Sequence, residues 1–139
     1  VYRKIGGEEK MRILVAEDDL VSRQFMSKSL ARYGECITAA DGMEALEVYL
    51  ASVKKGDYFD LICLDIMMPR TDGIRVLRII RKLEKRDNFS GRPAKIILLA
   101  AMTDKNYAGV ASKAGGNAYV SKPLDDEHLE KVMKKLELI

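Results

Sequence analysis

The stretch DLICLDIMMPRTDG, Asp60–Gly73, decides the fold of this 139-residue chain. Its apolar run Leu61–Leu64 is continuous rather than alternating, which suits a strand covered on both faces, as in a parallel sheet between two helix layers. The run ends in an acid, Asp65, and passes into a loop carrying Pro69 and Gly73. Beyond the loop, Val76, Leu77, Ile80 and Leu83 fall at helical spacing and form one apolar stripe. The unit is a strand, an acid-bearing loop and a helix.

The same unit recurs outward in both directions. Further strand-like runs are Arg12–Ala16, Cys36–Ala40, Ile96–Ala101 and Ala118–Ser121. Helical stripes between and after them are Met26, Leu30 and Tyr33; then Leu46, Tyr49, Leu50 and Val53; and finally Leu129, Val132, Met133 and Leu136. Gly34 is expected to cap the first helix in a left-handed conformation. The fourth helix, around Tyr107 to Ala114, is Ala- and Gly-rich and is expected to be the least stable. Five βα units predict a doubly wound α/β sandwich with a five-stranded parallel sheet and right-handed crossovers. Residues 11–139 form the expected domain. Residues 1–10 (VYRKIGGEEK) are polar and read as a vector-derived remnant or an upstream linker, outside the fold.

Composition narrows the function. Apolar residues at 47% and charged residues at 32% give an ordinary globular balance. A net charge of +3 is too small to imply a nucleic-acid or membrane partner. No apolar run approaches the roughly 18 residues of a spanning helix. Cys36 and Cys63 are too few for a disulfide framework or a zinc site, so a reducing, cytoplasmic setting is expected.

Chemistry gathers at strand ends, where open parallel sheets place their functional crevice. The first strand runs into Glu17-Asp18-Asp19, the third ends at Asp65, and the fifth is followed by Lys122-Pro123. Two carboxylates about 4 Å apart repel by roughly 4 kcal/mol at an effective dielectric near 20. Mg²⁺ would relieve that repulsion, and a lysine ammonium suits a phosphoryl oxygen. Asp is a competent covalent nucleophile for phosphoryl transfer. The plainer reading is that these acids cap helices and that Lys-Pro is a turn. Their joint placement at three strand ends favours the chemical one.

At these residues the sequence resembles the receiver domains of two-component response regulators, the chemotaxis-regulator type. The matching stretches are ILVAEDDLVSR (Ile13–Arg23), DLICLDIMMPRTDG and NAYVSKPL (Asn117–Leu124). The resemblance implies a flavodoxin-like sheet of order 2-1-3-4-5. It further implies Asp65 as phosphoryl acceptor and Asp18 as a direct Mg²⁺ ligand, with Glu17 acting through water. A backbone carbonyl of Met67 would complete the metal site, which would also accept Mn²⁺. Lys122 would pair with the phosphoryl group and Tyr119 would be the aromatic switch residue. Pro69 and Gly73 would shape the loop, and Lys122–Pro123 would be a cis peptide bond. Asp19 falls beside the acidic pair as a cap or supporting acid. The family's Thr or Ser switch falls on Ala100, and Thr103, three residues later, does not replace it. The interval between acceptor and switch is also a few residues longer than usual, in the loop Arg86–Ala94.

The leading function is therefore a signalling receiver. It would take a phosphoryl group from the phosphohistidine of a sensor histidine kinase or phosphotransfer protein, and hydrolyse its own aspartyl phosphate slowly. It would act as a switch more than as a turnover enzyme. Its output face, helix four, strand five and helix five, would meet a downstream target, an output domain or a second copy. A phosphorylation-independent interaction module is the alternative that Ala100 favours. An aspartyl phosphatase of the haloacid dehalogenase type would need an acid at Met67. His128, the only histidine, reads as exposed on the last helix, and Cys63 as a core thiol. Met67 and Met102 match positions that influence dephosphorylation in the family.

Overall fold

The computed structural model describes residues 3–5, 8–101 and 108–139, with side-chain detail from residue 10 onward. The elements run β1 (Arg3–Ile5), β2 (Glu8–Ala16), α1 (Leu20–Ala31), β3 (Gly34–Ala39), α2 (Gly42–Lys54) and β4 (Leu61–Asp65). They continue as α3 (Gly73–Glu84), β5 (Lys95–Ala100), α4 (Ala108–Lys113), β6 (Ala118–Ser121) and α5 (Asp126–Lys135). Five strands pair in parallel in the spatial order β3-β2-β4-β5-β6. Counted from β2, this is the expected order 2-1-3-4-5.

Alternation along each central strand builds two cores, one per face. Leu14, Ile62, Leu64, Ile96 and Leu98 face one side, where Ala45, Tyr49, Val76, Leu77 and Ile80 of α2 and α3 cover them. Ile13, Val15, Cys63, Ile97 and Leu99 face the other, under Met26 and Leu30 of α1 and Leu129 and Met133 of α5. Burial of all five β4 residues explains why its sequence shows no polar alternation. The five parallel strands thus point their C-terminal ends toward one rim.

The structure departs from the sequence reading in four places. Residues 3–5 and 8–10 are not outside the fold but form an antiparallel pair, Arg3 opposite Lys10 and Ile5 opposite Glu8, that extends β2. Gly34 does not cap α1. It opens β3 opposite Met11, and a Cβ there would lie 1.9 Å from the Met11 carbonyl oxygen. Tyr33 lies beyond the end of α1. The stripe on α2 is rotated: Ala45, Leu46, Tyr49 and Ser52 are buried, while Leu50 is 47% exposed. Tyr107, Met102 and Thr103 lie outside the described residues; α4 from Ala108 buries only Ala111.

Candidate functional site

Among the described residues, four aspartates cap helices. Asp19, Asp41, Asp72 and Asp125 each accept the backbone N–H three residues on, that of Ser22, Glu44, Arg75 and His128 respectively. Such a cap is worth about 1 kcal/mol. The plain reading of acids after strands therefore holds for Asp19, but it leaves Glu17, Asp18 and Asp65 to be explained.

Those three converge. Glu17 and Asp18 follow β2, Asp65 ends the neighbouring β4, and one carboxylate oxygen from each lies within 4.8 Å of the others. At an effective dielectric near 20 each like-charge pair at such a distance repels by about 3–4 kcal/mol. Glu17 is fully buried and Asp65 is 4% exposed, whereas Asp18 stands at the solvent edge. Lys122, just past β6, answers part of the charge: its Nζ lies 2.6 Å from Glu17 Oε1 and 3.1 Å from Asp65 Oδ2. The Lys122–Pro123 peptide bond is cis. The Lys122 N–H donates to the Ala100 carbonyl, anchoring the turn to the end of β5.

The electrostatics follow from this crowding. Burial, then the hydrogen-bonded and charged Glu17, push Asp65 up to about 6 against the pull of Lys122. Asp18 is raised by burial and by Asp65 beside it. Desolvation works against the Lys122 ammonium, yet Glu17 and Asp65 together raise it above its ordinary value. The second oxygen of Glu17, Oε2, is buried without a hydrogen-bond partner. An unsatisfied buried acceptor costs about 1–3 kcal/mol or more. A cluster of hard carboxylate oxygens, one of them unpartnered, is a donor set that fits a small divalent cation.

The loop after β4 is held by close backbone packing. The Gly73 N–H donates to the Ile66 carbonyl, and a Cβ on Gly73 would sit 2.3 Å from the Asp65 carbonyl oxygen. Thr71 donates to the Pro69 carbonyl, and Arg70 turns at a φ of 67°. The Met67 N–H lies 3.3 Å from Asp65 Oδ1, and its side chain is 56% exposed. Ala100 is fully buried at the end of β5, and half-buried Tyr119 packs on the cluster that contains it. His128 is exposed on α5, and Cys63 is a core thiol whose burial raises it far above its usual range.

Sequence reasoning missed Arg23. Its Nη1 donates to the Glu17 carbonyl at 2.8 Å and the Asp18 carbonyl at 3.4 Å, clipping the acidic loop to α1. Nothing in the spacing distinguishes it from a solvated helix arginine.

The family model described as the response regulator receiver domain matches residues 13–134. Among curated proteins, the chain is similar to the response regulator MprA of Mycobacterium avium, 35% identical over 91% of this chain and 50% of that protein. It is also similar to the peroxide stress-activated histidine kinase mak2 of Schizosaccharomyces pombe, 31% identical over 94% of this chain and 6% of that protein. The chain thus spans half or less of the length of these relatives. Among solved structures, a CheY-like response regulator receiver domain protein from Methanospirillum hungatei JF-1 superposes with a TM-score of 0.74 at 27% identity, covering 93% of this chain and 95% of that one.

Proposed function

The chain belongs to the response regulator receiver domain family, and on that premise we propose that Asp65 is its phosphoryl acceptor. The observation that carries this reading is Lys122 Nζ bridging Glu17 Oε1 and Asp65 Oδ2 at 2.6 and 3.1 Å, inside a carboxylate cluster at the strand ends. A carboxylate oxygen of Asp65 attacks the phosphorus of a kinase or phosphotransfer-protein phosphohistidine. The P–N bond breaks, its electron pair stays on the imidazole, and an acyl phosphate forms. Lys122 faces one of the new phosphoryl oxygens as a point charge. Water later cleaves the acyl phosphate and restores the carboxylate.

Glu17, Asp18, Asp65 and the Met67 carbonyl are the groups that would hold Mg²⁺, Glu17 through water. Bound there, the cation supplies charge neutralisation for the transferring phosphoryl group. A haloacid-dehalogenase-type phosphatase would need a proton donor at position 67, and a thioether has none to give. No helix among the described residues is long and apolar enough to cross a membrane. A cytoplasmic location, a kinase donor and an output partner or second copy on α4, β6 and α5 remain part of this proposal.

Intact mass after incubation with Mg²⁺ and phosphoramidate tests the reading. One added phosphoryl group is expected, and none in EDTA. A protein that binds partners but never gains the group would establish the phosphorylation-independent module instead.

Ala100 makes the switch testable. In this family a hydroxyl at that position moves toward the phosphoryl group, and a hydrogen bond to a charged acceptor contributes roughly 1.5–3 kcal/mol. Its absence should reduce active-state bias by about tenfold to a hundredfold. Ala100→Thr is therefore expected to enlarge the phosphorylation-induced NMR shifts around Tyr119. Ala100→Ser serves as the smaller control, because Ala100 is fully buried and overpacking costs about 1–3 kcal/mol. Unchanged shifts in both variants would show that the hydroxyl does not limit switching.

A further inference from the structure

Helix α3 and its C-cap residue carry a stripe of cations that forms no ion pair among the described residues. Arg75, Arg78, Lys82 and Lys85 follow one another at three- and four-residue steps, and all four are exposed. Lys113 of α4 faces the same groove of about 990 Å³. Among the described residues, none of these five side chains has a carboxylate within ion-pair distance. Helix α5 shows the ordinary alternative, where Lys131 and Lys134 pair with Glu127 and Glu130 one turn earlier. On α3, Lys82 instead follows Arg78, a like-charge spacing that destabilises a helix by a few tenths of a kcal/mol.

Among the described residues, the local acids are committed elsewhere. Glu84 is bound by Arg81 at 2.7 Å and accepts the Ala94 N–H. Asp72 caps the helix. The macrodipole accounts for Lys82 and Lys85 near the C-terminal end, but it disfavours Arg75 in the first turn. Self-repulsion maintained along a whole helix face calls for a negative partner.

The groove floor narrows the kind of partner. Between the cations it exposes Met67 at 56%, Val110 at 39% and part of Ile79. Among the described residues that line it none is aromatic, whereas single-strand nucleic-acid sites use aromatic rings as stacking platforms. An apolar floor between α3 and α4, edged by cations over ten residues or about 15 Å of helix, complements an amphipathic helix with one acidic and one apolar edge. We infer that the α3–α4 groove, beside the phosphoryl site and bordering it at Met67, is a docking site for an acidic amphipathic helix of a protein partner.

The test uses a fluorescein-labelled amphipathic peptide with Leu on one face and Glu spaced to meet the α3 cations. A Gln-for-Glu version, polyglutamate and a DNA duplex serve as competitors. The Glu peptide should bind, with amide shifts confined to α3, α4 and the loop after β4. The double variant Arg75→Glu with Arg78→Glu, at exposed positions, should weaken binding by about tenfold or more, and added salt should weaken it further. Circular dichroism confirms that the double variant folds. Equal binding of the Gln peptide, no effect of charge reversal, or shifts elsewhere would overturn the proposal. So would polyglutamate or the duplex competing as well as the amphipathic peptide, since any polyanion would then suffice.

Discussion

Asp18→Ala is expected to lower Mg²⁺ affinity by about a hundredfold or more, given that losing a mere supporting partner of a ligand already costs about 10–100-fold. Asp18 combines the features of a direct ligand. It stands at the solvent edge, it lies within the 4.8 Å carboxylate cluster, and burial and Asp65 raise it in the absence of a cation. Glu17→Gln should do less, because Glu17 Oε1 is already occupied by Lys122 at 2.6 Å and only Oε2 is unpartnered. Mg²⁺ titration followed by NMR shifts or calorimetry reads both. The ranking is the point: equal affinities in wild type and Asp18→Ala would place the cation elsewhere.

The second large effect concerns stability, and its sign is opposite to that of most core substitutions. Asp65→Asn is expected to stabilise the metal-free protein at pH 7.5. The folded state raises Asp65 to about 6 from its ordinary value of 3.8, so between those values the folded chain binds more protons than the unfolded chain. Stability attributable to this group is therefore present below pH 3.8 and lost as pH rises through about 6. Each pKa unit corresponds to about 1.4 kcal/mol, and coupling of Asp65 to its charged neighbours reduces the yield, which gives about 1–3 kcal/mol. Urea unfolding in EDTA at pH 7.5 should show the gain, and repeating it at pH 4 should show most of it gone. Mg²⁺ should shrink the difference, because it binds the folded wild type preferentially. A destabilised Asp65→Asn protein in EDTA would mean that Lys122 outweighs the repulsion. A group that costs the fold stability and serves the proposed phosphoryl chemistry would be the usual trade of stability for function.

Much of this was legible in the sequence for identifiable reasons. Strands buried on both faces leave continuous apolar runs, so β4 and β5 were readable to within a residue. The acids stand at the ends of β2 and β4, neighbours in the sheet, so topology alone brings Glu17, Asp18 and Asp65 together. What was not legible depends on tertiary contact. Gly34 looks like a helix cap, but the Met11 carbonyl 1.9 Å from any Cβ is a property of the β2–β3 pair. Leu50 fits the apolar period of α2 as well as Ala45 does, and only the sheet surface selects the face that includes Ala45. The hairpin of β1 and β2 had a signal, two glycines between short runs, masked by the polarity of Arg3–Lys10.

One measurement bears most directly on Asp65. Wild type and Asp65→Asn are treated with phosphoramidate and Mg²⁺, the acyl phosphate is trapped with borohydride, and the peptides are sequenced by mass spectrometry. Reduction turns the phosphorylated aspartate into homoserine and leaves free carboxylates unchanged. The expected result is homoserine at position 65 in the wild type and at no position in Asp65→Asn. Homoserine at position 18 or 19 in the wild type, or equal labelling of the two proteins, would contradict the assignment.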